Sequence, residues 1–250
     1  MRTLQAAFEN RNGHTLRGIV TLPDTEEKVP MVLLLHGFSG NLYGYKGLNT
    51  RIARALANAG IGCARFDFYG NGESDGEFQD MRFTGLYEDA EDMFSWMQSQ
   101  PYADKTRCWL SGQSMGGYVA ASTAPKIRPH GLILLCPGGG MWFGCGERAK
   151  QLMDQGKSYV DLEGLRYEMS FNLDMASHPM PFEEAKGYEG PAFIARASDD
   201  KLVDDRSVQA YAACYQNPET LTVEGGGHNF ASLPGRETLT GAIISFIRKH

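Results

Sequence analysis

The chain has 250 residues, a length suited to one large α/β domain or two small ones. Hydrophobic residues make up 42% of it and charged residues 22%, which is typical of a globular protein that buries a substantial core. Its formal net charge is −6 and no block of lysine or arginine stands out, so nucleic acid and anionic membrane surfaces are unsuitable partners.

The cysteines indicate a reducing compartment. There are five, an odd number, and Cys63, Cys108 and Cys136 lie inside apolar, strand-like runs. Buried free thiols explain this pattern better than disulfides, so we expect a cytoplasmic protein. The first residues lack the apolar core of a signal peptide, and the apolar runs are too short to span a membrane. No cysteine or histidine group has zinc spacing, so no metal is expected.

The predicted elements begin with a hairpin and continue as alternating strands and helices. Residues 3–8 and 16–22 read as two strands joined through the turn signal Asn12-Gly13. Further strands are predicted at 31–35, 61–66, 106–110, 131–136, 192–197 and 220–223, and helices at 48–58, 86–98, 115–124, 206–215 and 237–248. This alternation predicts a mostly parallel, doubly wound sheet of about eight strands with an antiparallel N-terminal hairpin.

The alternation is interrupted between about residues 138 and 190. This stretch shows no clear strand, only three glycines at its start and mixed helical patterns. It is too long for a simple connection, and it leaves the sheet at the carboxyl ends of the strands, where ligands bind. We interpret it as a lid inserted into a single domain of residues 1–250.

A nucleophile motif lies in the middle of the chain. The strand at 106–110 runs into Gly112-Gln113-Ser114-Met115-Gly116, and a helical pattern follows at once. A strand, a sharp turn with serine at its apex, and a helix form the G-x-S-x-G elbow. Glycines two residues to either side avoid crowding at this strained turn. The motif predicts that Ser114 is a nucleophile.

A serine nucleophile needs a base, an orienting acid and donors for the oxyanion, with the acid and then the base following the serine in this fold. Among six histidines, His228 directly follows the last strand in a glycine-rich loop, so we predict that it is the base. Asp199 and Asp200 both follow the strand at 192–197. Asp200 is favoured, with Leu202 and Val203 anchoring the loop, and Asp199 remains the alternative.

Two backbone N–H groups are the predicted oxyanion donors. One belongs to Met115, which follows the nucleophile at a helix N-terminus. The other belongs to Phe38, in the loop after the third strand, where His36 is expected to brace the backbone. In the loop from residue 65 to 76, Asp67 and Ser74 are expected to shape the backbone rather than to take part in catalysis.

These motifs together resemble the α/β-hydrolase superfamily. They are His36-Gly37-Phe38, the R-F-D-F-Y-G-N-G-E-S-D-G stretch at 65–76, the elbow at 112–117 and Gly226-Gly227-His228, in order and with suitable spacing. Residues 36–40 with the long loop at 65–78 look most like bacterial cinnamoyl (feruloyl) esterases. The sequence departs from those esterases at two places. The elbow reads Gln113-Ser114-Met115, where they often have His before the serine and Gln after it, and the strand ending at Cys136 is followed by three glycines, 138–140, where the resemblance suggests Pro-Ala.

The resemblance implies an esterase acting on hydroxycinnamate esters or other small carboxylic esters, with no cofactor and with a lid of about this size. Met141, Trp142 and Phe143 in the lid are candidate substrate contacts for a planar acyl group, although the lid aromatics could equally form its own small core. Lipase-like or thioesterase activity on aliphatic acyl chains, and a non-catalytic ligand-binding homologue, remain alternatives. A small-molecule ester is the expected partner, and a homodimer is possible.

Overall fold

The computed structural model describes residues 1–250, in which the apolar runs form one central sheet with helices on both faces. The strands are β1 (Arg2–Glu9), β2 (Thr15–Leu22), β3 (Val29–Leu35), β4 (Gly62–Phe66), β5 (Ala103–Gln113), β6 (Gly131–Leu135), β7 (Tyr159–Leu162), β8 (Leu165–Glu168), β9 (Ala192–Ala197) and β10 (Glu219–Val223). The helices are α1 (Leu48–Asn58), α2 (Phe83–Ser99), α3 (Met115–Ile127), α4 (Cys145–Asp154), α5 (Met169–Ser177), α6 (Pro181–Glu184), α7 (Asp205–Ala212) and α8 (Leu233–Lys249).

The eight strands of the central sheet follow the order β1-β2-β4-β3-β5-β6-β9-β10. β2 pairs antiparallel with β1 and β4, and every other pair in this sheet is parallel. β4, β6 and β9 are buried along their whole length, as expected for strands covered on both faces. The predicted mostly parallel sheet with an antiparallel N-terminal hairpin is confirmed.

Two hydrophobic clusters lie on the two faces of the sheet. Alternate residues of β3 point to opposite sides, so Leu33 joins one cluster and Leu34 the other. The first cluster contains side chains of α2, α3 and α5, including Phe83, Tyr118 and Phe171. The second contains side chains of α1 and α8. Burial of these apolar faces, rather than helix propensity alone, holds the helices against the sheet.

The stretch between β6 and β9 contains a hairpin that the sequence reading missed. β7 and β8 pair antiparallel, with Tyr159 opposite Glu168. These strands have only four residues each and none of those residues is fully buried, so any hydrophobic alternation is too short to be recognised in the sequence. Glu163 and Gly164, both with positive φ, form the turn between them. The expectation that this stretch contains no strand was therefore wrong, and its role as a lid stays a prediction.

Several element ends also differ from the predicted ones. β5 extends to Gln113, beyond the apolar run, because Ser111 to Gln113 continue the parallel ladder with β6. α8 begins at Leu233, because the Ser232 side chain caps it by accepting a hydrogen bond from the Gly235 N–H. All five cysteines are free, and Cys214 alone is only partly buried. None of the helices combines the length and apolar character needed to cross a membrane.

The turn between β5 and α3 is tightly packed. A Cβ atom added at Gly112 would lie 2.1 Å from the carbonyl oxygen of Gly116, and one at Gly116 would lie 2.5 Å from the carbonyl oxygens of Leu35 and His36. Real Cβ atoms do not approach backbone atoms this closely. Both glycines are therefore required for α3 to start directly beside the end of β3.

We predict that Gly112→Ala lowers the free energy of unfolding by more than about 3 kcal/mol, because the new methyl group collides with backbone that cannot move aside. Gly241→Ala is the matched control. No atom lies within 4 Å of the added Cβ there, so this change in α8 should raise stability by about 0.5–1 kcal/mol. Chemical denaturation measures both; a Gly112→Ala protein as stable as the wild type would contradict the crowding.

Candidate active site

Ser114 lies at the apex of the turn between β5 and α3, with φ 55° and ψ −119°. This is a strained conformation for a residue with a side chain. Its N–H donates to the Leu135 carbonyl at 2.9 Å, and its carbonyl accepts from the N–H groups of Tyr118 at 3.0 Å and Gly138 at 2.8 Å. The backbone of the predicted nucleophile is therefore held by β6, by α3 and by the first glycine after β6.

The structure brings Ser114, His228 and Asp200 together. His228 Nε2 lies 2.8 Å from Ser114 Oγ, and His228 Nδ1 lies 2.9 Å from Asp200 Oδ2. The Asp200 side chain is fully buried, and its other oxygen accepts from the N–H groups of Leu202 at 2.8 Å and Val203 at 3.1 Å. With Nδ1–H donating to the carboxylate, Nε2 presents its lone pair to the serine hydroxyl, as a base must.

The neighbouring aspartate has a different partner. Asp199 Oδ1 accepts from the backbone N–H of Gly227 at 2.7 Å and makes no hydrogen bond to the imidazole. Of the two aspartates that the sequence offered, the structure therefore places Asp200 beside His228 and uses Asp199 to hold the glycine loop.

His36 braces the loop that follows β3. It is completely buried, its Nδ1 lies 2.8 Å from the Gly37 carbonyl oxygen, and its Nε2 accepts from the Phe68 N–H at 3.2 Å. Burial lowers the pKa of His36, against smaller opposing effects of the Gly37 carbonyl and Asp67. A neutral imidazole fits both contacts, with Nδ1–H as donor and Nε2 as acceptor.

The same loop presents one candidate oxyanion donor, and the first residue of α3 presents the other. The Phe38 N–H makes no hydrogen bond within the protein, and Met115, the first residue of α3, has no intrahelical acceptor for its N–H. Gly37 lies against the nucleophile, since a Cβ there would be 3.2 Å from Ser114 Cβ. Asp67 supports the loop by accepting from the Leu42 N–H at 2.6 Å and the Glu73 N–H at 3.0 Å.

A cavity of about 760 Å³ opens onto Ser114 and His228. Most of its lining residues are glycines, serines, histidines, asparagines or glutamine, and no lysine, arginine, aspartate or glutamate lines it. Its apolar lining consists of Phe38, Tyr45, Met141, Leu202 and Val203. The site is therefore suited to an uncharged ligand with a modest apolar part.

The predicted substrate contacts divide into two groups. Met141 lines the cavity, whereas Trp142 and Phe143 do not. Trp142 Nε1 donates to the His178 carbonyl at 3.0 Å, and Phe143 is 46% exposed. The ring of Tyr167 packs 5.0 Å from that of Phe38.

Two cavity residues escaped the sequence reading or were read differently. Tyr45 was not singled out, and nothing in its local sequence marks it. Leu202 was expected to anchor the Asp200 loop, but only Val203 does so, with 4% of its surface exposed. Leu202 is 77% exposed and lines the cavity together with Val203.

One group of metal-ligating side chains occurs at this site. Donor atoms of Cys136, Asp200 and His228 lie within 4.8 Å of one another. Asp200 and His228 are hydrogen-bonded to each other, and the Cys136 thiol points at the His228 carbonyl oxygen at 3.2 Å. Burial raises the pKa of Cys136, so the thiol stays protonated and is a poor ligand. The three side chains are therefore arranged for hydrogen bonding rather than for binding a metal ion.

Buried His36 makes stability depend on pH. The pKa of His36 is lower in the folded chain than its ordinary value of 6.5, so the unfolded chain binds more protons below that pH. The free energy of unfolding therefore decreases as pH falls below about 6.5, by up to about 1.4 kcal/mol per pH unit. We predict that His36→Gln, though less stable at pH 7.5, loses less stability than the wild type between pH 7 and 5. Chemical denaturation at each pH measures this. An equal loss of unfolding free energy in the two proteins between pH 7 and 5 would contradict the prediction.

Comparison with known proteins gives one family match. The family described as serine aminopeptidase, S33 matches residues 26–178. Two Escherichia coli proteins, both named uncharacterized 31.7 kDa protein in traX-finO intergenic region, are 35% identical. The alignment to the first covers 107 residues, 42% of this chain and 36% of that protein. The chain therefore spans about a third of the length of the curated relatives it matches.

Solved structures share the fold over the whole chain. Est1E from Butyrivibrio proteoclasticus with bound ferulic acid superposes with a TM-score of 0.84 at 21% identity, covering 98% of both chains. DcsB in complex with its substrate analogue gives 0.81 at 19% identity over 99% of both chains. Mouse alpha/beta hydrolase domain-containing protein 10 gives 0.78 at 18%, covering 98% of this chain and 99% of that one. The chain belongs to the serine aminopeptidase, S33 family of α/β hydrolases.

Proposed function

We propose that this chain is a serine hydrolase of carboxylic esters that works through an acyl-enzyme. The observation that carries the proposal is the unbroken contact from Ser114 Oγ through both nitrogens of His228 to buried Asp200. A hydroxyl at this distance from an imidazole whose other nitrogen is held by a carboxylate is the arrangement that nucleophilic acyl transfer requires.

The reaction proceeds in two halves. His228 takes the proton of Ser114 as Oγ attacks the ester carbonyl, and the N–H groups of Phe38 and Met115 stabilise the negative charge that develops on the carbonyl oxygen. His228 then gives the proton to the departing alcohol. In the second half, water loses a proton to His228 and attacks the acyl-enzyme, and the proton returns to Ser114 as the carboxylic acid leaves. Asp200 stabilises the imidazolium in both halves, and no cofactor takes part.

The absence of acidic side chains from the cavity favours esters over the peptides that the family's description suggests. An aminopeptidase has to bind the free α-ammonium group of its substrate, and an ammonium removed from water needs a carboxylate partner. No aspartate or glutamate lines this cavity. Asp200 is fully buried behind His228 and is already hydrogen-bonded at both oxygens. The site therefore suits an uncharged ester.

Within the esters, we propose hydroxycinnamates and other small acyl groups. The motifs at 36–40 and 65–78 resemble feruloyl esterases, and the structure of Est1E contains ferulic acid. Phe38 and Met141 give the acyl group apolar surface in the cavity that Ser114 lines. Aliphatic esters of moderate length are the second candidate, favoured by Leu202 and Val203 in the lining. The free thiols support a cytoplasmic location, which we also propose.

We predict that the wild type hydrolyses methyl ferulate and p-nitrophenyl butyrate but not leucine p-nitroanilide, since nothing in the cavity binds an ammonium group. Ser114→Ala should lower kcat for both esters by at least about 10⁴-fold without loss of fold, since it removes the nucleophile. Ser122→Ala, which removes a hydroxyl without a hydrogen-bond partner in α3, is the matched control and should leave kcat unchanged. Faster hydrolysis of the anilide than of either ester would favour an aminopeptidase instead.

A further inference from the structure

The loop that carries His228 is built from residues with unusual conformational freedom. Gly225, Gly226 and Gly227 have φ values of 65°, 93° and 58°. Such a run costs more conformational entropy to order than any other sequence of the same length. Its first half is held by side chains, since the Gly225 N–H donates to Ser198 Oγ at 3.1 Å and the Gly227 N–H to Asp199 at 2.7 Å.

The second half of the loop is held through the backbone carbonyl of His228. This oxygen accepts two hydrogen bonds from side chains, one from Gln113 Nε2 at 3.3 Å and one from the Cys136 thiol at 3.2 Å. The same Gln113 amide also donates to Asn229 Oδ1 at 3.0 Å. Three donor contacts thus converge on the two residues that directly follow the glycines.

Both donors come from the ends of central strands. Gln113 is the last residue of β5 and pairs with Leu135, and the Cys136 N–H donates to the Ala195 carbonyl at 2.6 Å. Gln113 is 4% exposed and Cys136 is completely buried, so water competes little for these contacts. Burial also raises the pKa of Cys136, which keeps the S–H proton available for donation.

We propose that Gln113 and Cys136 are positioning residues that hold the His228 imidazole in reach of Ser114 by clamping the His228 carbonyl. The residue before the nucleophile in sequence thereby fixes the base, so one strand end sets both partners of the proton transfer. The kinetic part of this inference rests on the proposed ester hydrolysis, whereas the clamping of the loop does not.

The kinetic test uses Gln113→Met, which keeps the length of the side chain and removes the donor. Since a catalytic group displaced by about 1 Å can cost about 100-fold in rate, we expect kcat to fall between about 10- and 100-fold while KM stays within about twofold. Gln98→Met is the matched control, because Gln98 also donates to a backbone carbonyl, that of Lys105 at 3.5 Å, far from the site. A Gln113→Met enzyme whose kcat stays within about twofold of the wild type would overturn the proposal.

A second pair of variants keeps the test decisive if Gln113→Met fails to fold. Cys136→Ser retains a donor and Cys136→Ala does not, so kcat of the serine variant should lie at least about threefold above that of the alanine variant. Combining Gln113→Met with Cys136→Ala should give a loss that differs from the product of the single losses, because both donors bind one carbonyl. Equal kcat values for the two Cys136 variants would count against the clamp.

Hydrogen exchange separates this inference from the proposed function. Backbone amides of residues 227–231 should exchange faster in Gln113→Met than in the wild type, while exchange in Gln98→Met is unchanged. This holds whether or not the protein hydrolyses esters. If the wild type is inactive on every ester while loop exchange still responds to Gln113, ester hydrolysis is wrong and the clamp stands. Unchanged loop exchange in Gln113→Met would overturn the clamp itself.

Discussion

The backbone of Ser114, held with φ 55° between β5 and α3, is the constraint on which the rest of the site depends. This backbone conformation is strained for a residue with a side chain. The surrounding chain compensates by hydrogen-bonding both the N–H and the carbonyl group of Ser114. Gly112 and Gly116 allow β5, α3 and the end of β3 to lie in close contact around this turn, because neither position has room for a Cβ atom. The serine side chain consequently lies at the carboxyl edge of the sheet, where it lines the cavity and contacts His228.

Phe38, Asp200 and His228 reach this edge from the ends of other parallel strands of the same sheet. The loop after β3 supplies the Phe38 N–H and is fixed by the neutral ring of His36. The loop after β9 supplies Asp200, and the loop after β10 supplies His228. Parallel strands place all their carboxyl ends together, so residues separated by more than a hundred positions meet within hydrogen-bonding distance. The buried carboxylate of Asp200 then orients the His228 ring, and the other nitrogen of that ring lies beside Ser114.

The parts of this arrangement that sequence could predict are those with a local signature. The elbow at Ser114, the glycine loop before His228 and the alternation of strands and helices each follow from spacing and steric rules, and the mostly parallel sheet with its antiparallel N-terminal hairpin was predicted correctly. What the sequence could not give are contacts made by tertiary proximity. Nothing local marks Tyr45 as a cavity residue, and Leu202 was expected to anchor the Asp200 loop although most of its surface is exposed.

The insertion between β6 and β9 shows the same limit. Its short hairpin lacks the alternation that marks longer strands, and of three adjacent candidates only Met141 reaches the cavity. Choosing between Asp199 and Asp200 likewise needed coordinates, since both follow one strand and both are hydrogen-bonded to the His228 loop or ring. Gln113 was visible as an unusual elbow residue, but its contact with the His228 carbonyl depends on two strand ends meeting in space.

The central claim is that His228 activates Ser114 as a nucleophile. The most direct test is labelling with a fluorophosphonate, followed by peptide mapping with mass spectrometry. The account predicts one adduct on Ser114 in the wild type and a labelling rate at least about 100-fold lower in His228→Ala, because the unassisted hydroxyl is a weak nucleophile. Labelling at another residue, or an equal rate in His228→Ala, would contradict it.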